Sequence, residues 1–280
     1  MKTPPPPDPS HAAFVRRPNM AQGGMTRLPG HPQISMEQAR GFRLRVARWR
    51  IGAGAVPLLF LNGIGADIAA AAPLLSRIQG REVWTLDMPG VGGSPDSFFP
   101  YALSSMAGAV IDIADRLGHR FFDVAGFSWG GALAQQIGAN HPARIRRLAL
   151  LATTGSIEAP GLGWSVWNDS DMLASGLRLP TATPLGIAYQ ALAMAGWNGT
   201  ATLPAPRERP VLILTGARDG IVPASHGARL AALIEGAELE EMPGSHLFPF
   251  THASRVAARL TDFLDQPANT PAKGAPVAAY

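Results

Sequence analysis

The run Val124-Ala125-Gly126-Phe127-Ser128-Trp129-Gly130-Gly131 constrains the fold of this chain more than any other segment. A short apolar stretch ends in Gly-x-Ser-x-Gly, and Ala132-Leu133-Ala134-Gln135-Gln136-Ile137 follows with helical character. A strand and a helix can meet across so tight a turn only if the residues at 126 and 130 are small. The turn strains the serine backbone and lifts the Ser128 hydroxyl clear of the strand. There it stands at a helix N-terminus, which favours developing negative charge. Gly-x-Ser-x-Gly arises readily by chance in a chain with 31 glycines, so the flanking strand and helix carry the weight.

The rest of the chain supplies a frame for such a turn. Candidate strands are Ile34–Ala39 and Phe42–Ile51 around Gly41, then 57–61, 82–86, 121–127, 147–152, 211–215 and 239–242. Helical patterns fall between them: one ending near Gly80, then about 104–117, 224–234 and 252–264. Short apolar strands separated by helices predict an α/β fold with a mostly parallel, doubly wound sheet. The stretch 155–206 breaks this rhythm. It holds Trp164, Trp167 and Trp197, three of the six tryptophans, among many turn residues. An inserted lid over the sheet's C-terminal edge is the expectation, with the three indoles as an apolar substrate-binding wall. A plain connecting helix pair is the alternative. Residues 1–33 and 266–280 are rich in Pro and Gly without periodicity and read as disordered extensions of a 34–265 domain.

Composition excludes several classes. The 280 residues are 46% hydrophobic and 16% charged, which suits a globular protein with a large core. No apolar run reaches a bilayer-spanning length, because Asn62, Asp67 and scattered prolines interrupt the richest region. Met1-Lys2-Thr3 runs directly into Pro4–Pro7 with no apolar segment behind the lysine, so no secretory signal is expected. The absence of cysteine rules out disulfides, thiolate catalysis and Cys-ligated metals. The net charge of +4 comes almost wholly from arginine, and Arg43, Arg45, Arg48 and Arg50 alternate with Phe42, Leu44, Val46 and Trp49. That is the pattern of a half-solvated strand, and no nucleic-acid reader motif accompanies it.

A serine hydroxyl becomes a useful nucleophile only when a base takes its proton and an acid holds that base. With a Gly-x-Ser-x-Gly serine the order along the chain is serine, acid, histidine. Asp219 follows the strand 211–215 in Gly216-Ala217-Arg218-Asp219-Gly220, and His246 follows the last strand in Pro243-Gly244-Ser245-His246-Leu247. Both are therefore expected at the sheet edge that carries Ser128. The competitors are weaker. His226 lies inside a helical pattern, His252 opens the final helix, and His119 and His141 flank turns and read as surface residues. Asp169 and Asp171 are the rival acids, from the lid side.

Acyl transfer also requires N–H donors for an oxyanion. The Trp129 amide, directly after the nucleophile, is one candidate. The Ile64 amide in Asn62-Gly63-Ile64-Gly65-Ala66 is the other, since the flanking glycines allow it to turn inward. That loop also imitates a dinucleotide-binding turn, with Asp87 ending the next strand at a suitable distance for a ribose. Ile68 in place of the third small residue, and Asp67 beside the would-be pyrophosphate, argue against it. Asp87 then reads as structural, and neither a cofactor nor a metal is expected.

Taken together, Phe60–Ala66, Asp87-Met88-Pro89-Gly90-Val91-Gly92-Gly93-Ser94, Ser128–Gln136 and Gly244-Ser245-His246-Leu247-Phe248 resemble the α/β-hydrolase-fold intracellular polyhydroxyalkanoate depolymerases. The branch acting on medium-chain-length polyesters is the most similar, and the resemblance runs from about Gly41 to Leu264, excluding much of the lid. It implies cofactor-free hydrolysis of poly(3-hydroxyalkanoate) esters in a bacterial cytoplasm, at granule surfaces. Ser128 would be the nucleophile, Asp219 the acid and His246 the base. The lid is shorter than that branch carries and the Pro-rich extension is unusual. A small-molecule carboxylesterase is therefore the alternative.

Overall fold

The computed structural model describes residues 31–156, 181–195, 197–199 and 209–267. Both proposed disordered extensions lie almost entirely outside these residues. At their inner limits, Gln33 is already paired with Arg48, and Arg147 donates to the carbonyls of Gln266 and Pro267.

A seven-stranded sheet organises the chain. β1 (Gln33–Ala39) and the first arm of β2 (Phe42–Leu61) form an antiparallel hairpin, turned by Arg40 at φ 50° and Gly41 at φ 84°. β2 departs from the expectation of two strands, because its pairing with β3 continues on both sides of the glycine break. Gly52 takes a φ of 80° and the register shifts between Trp49 and Leu58. The result is two arms with β3 (Arg81–Leu86) between them: Trp84 pairs with Arg48 on one side and with Leu59 on the other. From the second arm onward the sheet is parallel, in the order β2, β4 (Phe122–Phe127), β5 (Ile145–Leu151), β6 (Val211–Gly216), β7 (Glu238–Met242).

Alternation along the strands sends successive side chains to opposite faces, and both faces are covered. Leu59, Leu61, Val124, Leu148 and Leu150 pack beneath α2 (Leu103–Arg116) and α3 (Trp129–Asn140). Leu58, Phe60, Ala125, Ala149 and Leu151 pack beneath α1 (Ile68–Leu75) and the C-terminal helices. Each fully buried leucine contributes about 2 kcal/mol by leaving water. The described part of the 155–206 stretch is helix α4 (Pro184–Met194), with a bridge between Ser156 and Asn198. Thr183 caps α4 by accepting from the Gly186 N–H at 2.9 Å. The chain ends with α5 (Ala224–Leu233), α6 (Phe248–Thr251) and α7 (Ala253–Asp265). No helix among the described residues is long and apolar enough to cross a membrane.

His119 departs from its expected surface role. It is 7% exposed, bonds Glu82 at 3.1 Å and lies against Trp84. A turn position gives no sign of such a partner, because Glu82 enters from a strand distant in sequence.

Candidate active site

Parallel strands end at one edge, so the loops after β2, β4, β6 and β7 gather there. Ser128 occupies the turn from β4 to α3 with φ 52° and ψ −119°, outside the regions ordinary residues favour. Its surroundings hold it in place. The Ser128 N–H donates to the Leu151 carbonyl at 2.9 Å, and the Ser128 carbonyl accepts from Thr153 Oγ1 and from the Gly131 N–H, both at 2.8 Å. The glycines are obligatory for close approach. A methyl on Gly126 would lie 2.3 Å from the Gly130 carbonyl oxygen, and one on Gly130 would lie 2.2 Å from that of Leu61. The Ser128 side chain is only half-buried, so a substrate can reach it.

Asp219 and His246 arrive on neighbouring loops that are stitched together. The Ala217 and Arg218 N–H groups donate to the Met242 and Gly244 carbonyls, each at 2.9 Å. Gly216 permits this approach, since a methyl there would meet the Ser245 carbonyl oxygen at 2.5 Å. One carboxylate oxygen of Asp219 accepts from the Ile221 and Val222 N–H groups at 2.9 and 2.8 Å. The other accepts from His246 Nδ1–H at 2.8 Å. That bond selects the imidazole tautomer whose Nε2 is an acceptor, and Nε2 lies 3.0 Å from Ser128 Oγ. Asp219 and His246 are buried, at 6% and 3% exposure, and Phe127 packs on the imidazole with ring centroids 5.0 Å apart. Such an arrangement can draw the proton from a serine hydroxyl as it attacks.

The loop after β2 lies beside this chain of bonds. A methyl on Gly63 would be 2.9 Å from the Phe127 ring and 3.4 Å from Ser128 Cβ. Residues 63–66 form a turn closed by the Ala66 N–H donating to the Gly63 carbonyl, with Ile64 as its second residue. Trp129 opens α3, where the first N–H groups have no intrahelical acceptor.

The remaining candidates separate clearly. Asp87 is fully buried and bound to protein, one oxygen accepting from the Ile68 N–H at 2.7 Å and the other from the Gly93 N–H at 2.9 Å. Burial raises its pKa against those bonds. It ties the loops after β2 and β3 together and leaves no carboxylate oxygen for a ribose. His226 bonds Thr154 Oγ1 at 3.0 Å, and His252 bonds Thr251 Oγ1, so neither joins the Ser128 chain. Trp197 is half-buried, with Nε1–H donating to Gln136 Oε1 at 3.1 Å. Gln136 is eight residues beyond Ser128 on α3, roughly 12 Å along the helix. Trp164, Trp167, Asp169 and Asp171 lie outside the described residues.

Residues 56–173 match the family described by the alpha/beta hydrolase fold. A poly(3-hydroxyalkanoate) depolymerase from Ectopseudomonas oleovorans is 30% identical over 240 residues, spanning 75% of this chain and 84% of that enzyme. The chain belongs to the α/β-hydrolase family. As a member of it, this protein is an ester hydrolase. Another relative, 2-hydroxymuconate semialdehyde hydrolase from Pseudomonas sp. strain CF600, is 29% identical over 253 residues, covering 76% of this chain and 88% of its own. Among solved structures, a thermophilic esterase from Thermogutta terrifontis superposes with a TM-score of 0.71 at 20% identity, over 83% of this chain and 98% of that one. The enol-lactonase from Burkholderia xenovorans LB400 gives 0.69 at 22% identity, over 83% of this chain and all of that one.

Sequence reasoning did not single out Gln190 or Thr153. Thr153 braces the Ser128 carbonyl from the end of β5. Gln190 is fully buried on α4, a helix otherwise almost wholly apolar. A lone amide at a buried position of such a helix was the available signal, since buried amides require partners.

Proposed function

We propose that this α/β hydrolase is a serine esterase acting on poly(3-hydroxyalkanoate) or its oligomers, through an acyl-enzyme on Ser128. The observation that carries the chemistry is the unbroken line from Ser128 Oγ to His246 Nε2 at 3.0 Å and from His246 Nδ1 to Asp219 at 2.8 Å. As Ser128 Oγ bonds to the ester carbonyl carbon, His246 accepts its proton and Asp219 stabilises the imidazolium. The carbonyl oxygen becomes an oxyanion held by the Ile64 and Trp129 amides, each lowering the barrier by about 3 kcal/mol. The tetrahedral adduct then expels the hydroxyl end of the chain, which leaves with the proton from His246. Water, deprotonated by His246, attacks the acyl carbon and releases the acid.

Two features support a polyester substrate. One is the 30% identity to a poly(3-hydroxyalkanoate) depolymerase across most of that enzyme's length. The other is an exposed apolar surface on and around α4, the helix whose buried side reaches the 63–66 turn and Trp129. Leu185, Ala188, Ala191 and Leu192 form the outward side of α4. Phe98 and Phe99, 92% and 77% exposed, lie on a segment joined to α4 by the Asp96–Thr183 hydrogen bond. In this reading the 155–206 insertion is a lid that takes up an apolar acyl chain, Trp164 and Trp167 belong to its wall, and the enzyme works on granules in the cytoplasm. The competing reading is a small-ester hydrolase, favoured by 27% identity over 257 residues to a pimeloyl-[acyl-carrier protein] methyl ester esterase from Neisseria meningitidis.

Clearing of a medium-chain polyester suspension, measured beside an acyl-length series of soluble nitrophenyl esters, separates the two. Clearing, with preference for acyl chains of about six or more carbons, is expected from an apolar site that gains about 0.8 kcal/mol per buried methylene. Turnover of short soluble esters alone would select the second reading.

A further inference from the structure

Helix α4 reaches the two amide-bearing segments of the site through a single residue. Gln190 Oε1 accepts from the Gly65 N–H at 3.2 Å, and the Gln190 carbonyl accepts from the Trp129 indole N–H at 2.8 Å. Its own side-chain N–H reaches back to the Gly186 carbonyl at 3.4 Å, so the amide is bonded at both ends and fully buried. α4 is itself tied to the loops of that sheet edge. The Thr183 N–H donates to the Gly90 carbonyl at 2.8 Å and Thr181 Oγ1 donates to Asp67 at 2.8 Å.

The bond to Gly65 bears on the direction of a backbone group. Gly65, at φ 70°, is the third residue of the 63–66 turn, and a positive φ at that position marks the type II form. Types I and II differ by a flip of the central peptide, whose N–H belongs to Gly65. An acceptor facing that N–H therefore selects one form. The Ile64 N–H lies on the preceding peptide, whose plane the two forms share, so the bond acts on it by locking ψ at Ile64 and holding the turn that carries it in one shape.

We propose that Gln190 is the positioning residue of the oxyanion site, holding the 63–66 turn and Trp129 in register from α4. This rests on the serine esterase reading given above. It also implies that the position of α4, and hence of whatever acyl chain lies against it, is transmitted to the oxyanion donors.

Gln190→Met removes the acceptor at nearly constant volume, whereas Gln190→Glu keeps an acceptor oxygen in either protonation state. Loss of a whole oxyanion donor costs roughly 100- to 1000-fold in kcat, so a mispositioned one should cost roughly 10- to 100-fold, with KM for a soluble nitrophenyl ester changed by less than about threefold. Affinity for an alkylboronic acid, which adds to a serine as a tetrahedral anion, should fall in step with kcat/KM. Gln190→Glu should recover activity to within about threefold of wild type, since its oxygen can still face the Gly65 N–H. If Gln190→Met fails to fold, Gln190→Asn keeps a polar group but lacks the reach, and the same loss is expected.

A folded Gln190→Met or Gln190→Asn enzyme with wild-type kcat and boronate affinity, or with its loss confined to KM, would overturn the proposal. Wild type and Ser128→Ala run in parallel distinguish the failures. An inactive wild type or an active Ser128→Ala would defeat the esterase reading, and normal controls with unaffected Gln190 variants would defeat only this inference.

Discussion

Where β3, β4 and β5 begin, buried charges pair with one another. Asp123, wholly buried, receives two bonds from Arg146 at 2.9 and 2.6 Å and one from Arg81 at 3.3 Å, and Arg81 also meets Asp265. Nearby, Glu82 accepts from Arg48 at 2.6 Å and bonds His119 at 3.1 Å. Where β4, β6 and β7 end, polar side chains are instead lined up with a reachable hydroxyl at one end and a strained backbone beneath it. One edge pairs its charges and stays shut. The other keeps a proton poised between neighbours, at a cost in backbone strain of about 1–3 kcal/mol. The sheet between them serves both, since its parallel strands place every start on one side and every end on the other.

Mutations should separate the two edges cleanly. Ser128→Ala should reduce ester hydrolysis by roughly four to six orders of magnitude. It removes one hydrogen bond worth about 1 kcal/mol, so the melting temperature should move by no more than about 4 °C. A large drop in melting temperature would show that the hydroxyl holds the fold and would blur the division. Asp219→Asn should cost about four orders of magnitude in kcat, because the amide favours the wrong imidazole tautomer. Steady-state kinetics showing only a small loss would remove Asp219 from the poised chain.

At the opposite edge the losses should appear in stability. Burial raises the pKa of Asp123 against the pull of Arg146 and Arg81, so the carboxylate depends on those partners. Asp123→Asn leaves Arg81 with Asp265 alone and takes the carboxylate from the partly exposed Arg146, and should destabilise the protein by about 3 kcal/mol in denaturant titration. The folded fraction should retain its kcat, and a matching loss of kcat would mean the edges are coupled.

Glu82 gives the smallest and most pH-dependent effect. Burial pushes its pKa up, but the bonds from His119 and Arg48 prevail and hold it at about 2, below the ordinary 4.5. A depressed carboxylate contributes stability above its unfolded value that is lost as pH falls toward the folded one. Glu82→Gln should therefore cost on the order of 3 kcal/mol at pH 7, with the difference shrinking between pH 4.5 and 2. Parallel stability curves for the two proteins would contradict this.

Much of this architecture is written locally. The Gly-x-Ser-x-Gly turn, the strands around it, and Asp219 and His246 after their strands follow from residue type and order. The structure brings the three side chains within hydrogen-bond reach of one another. What local pattern misses is partnership. His119 reads as a turn residue and is buried on Glu82. Trp197 reads as a binding wall, and the pattern gives no sign that its indole N–H donates to Gln136 on α3. β2 reads as two strands because glycines break the apolar pattern at Gly52 and Gly54, yet its two arms both pair with β3 across that break. Gln190 is inconspicuous for the same reason, since its importance lies in a turn 125 residues away.

The central claim is that Ser128, activated by His246, forms a covalent acyl intermediate. Peptide mass mapping after treatment with an alkyl fluorophosphonate tests it most directly. The account predicts stoichiometric mass addition at Ser128 and slowing by several orders of magnitude in His246→Ala, in line with the loss of a general base. A modified residue elsewhere, or undiminished labelling of Ser128 without His246, would contradict it.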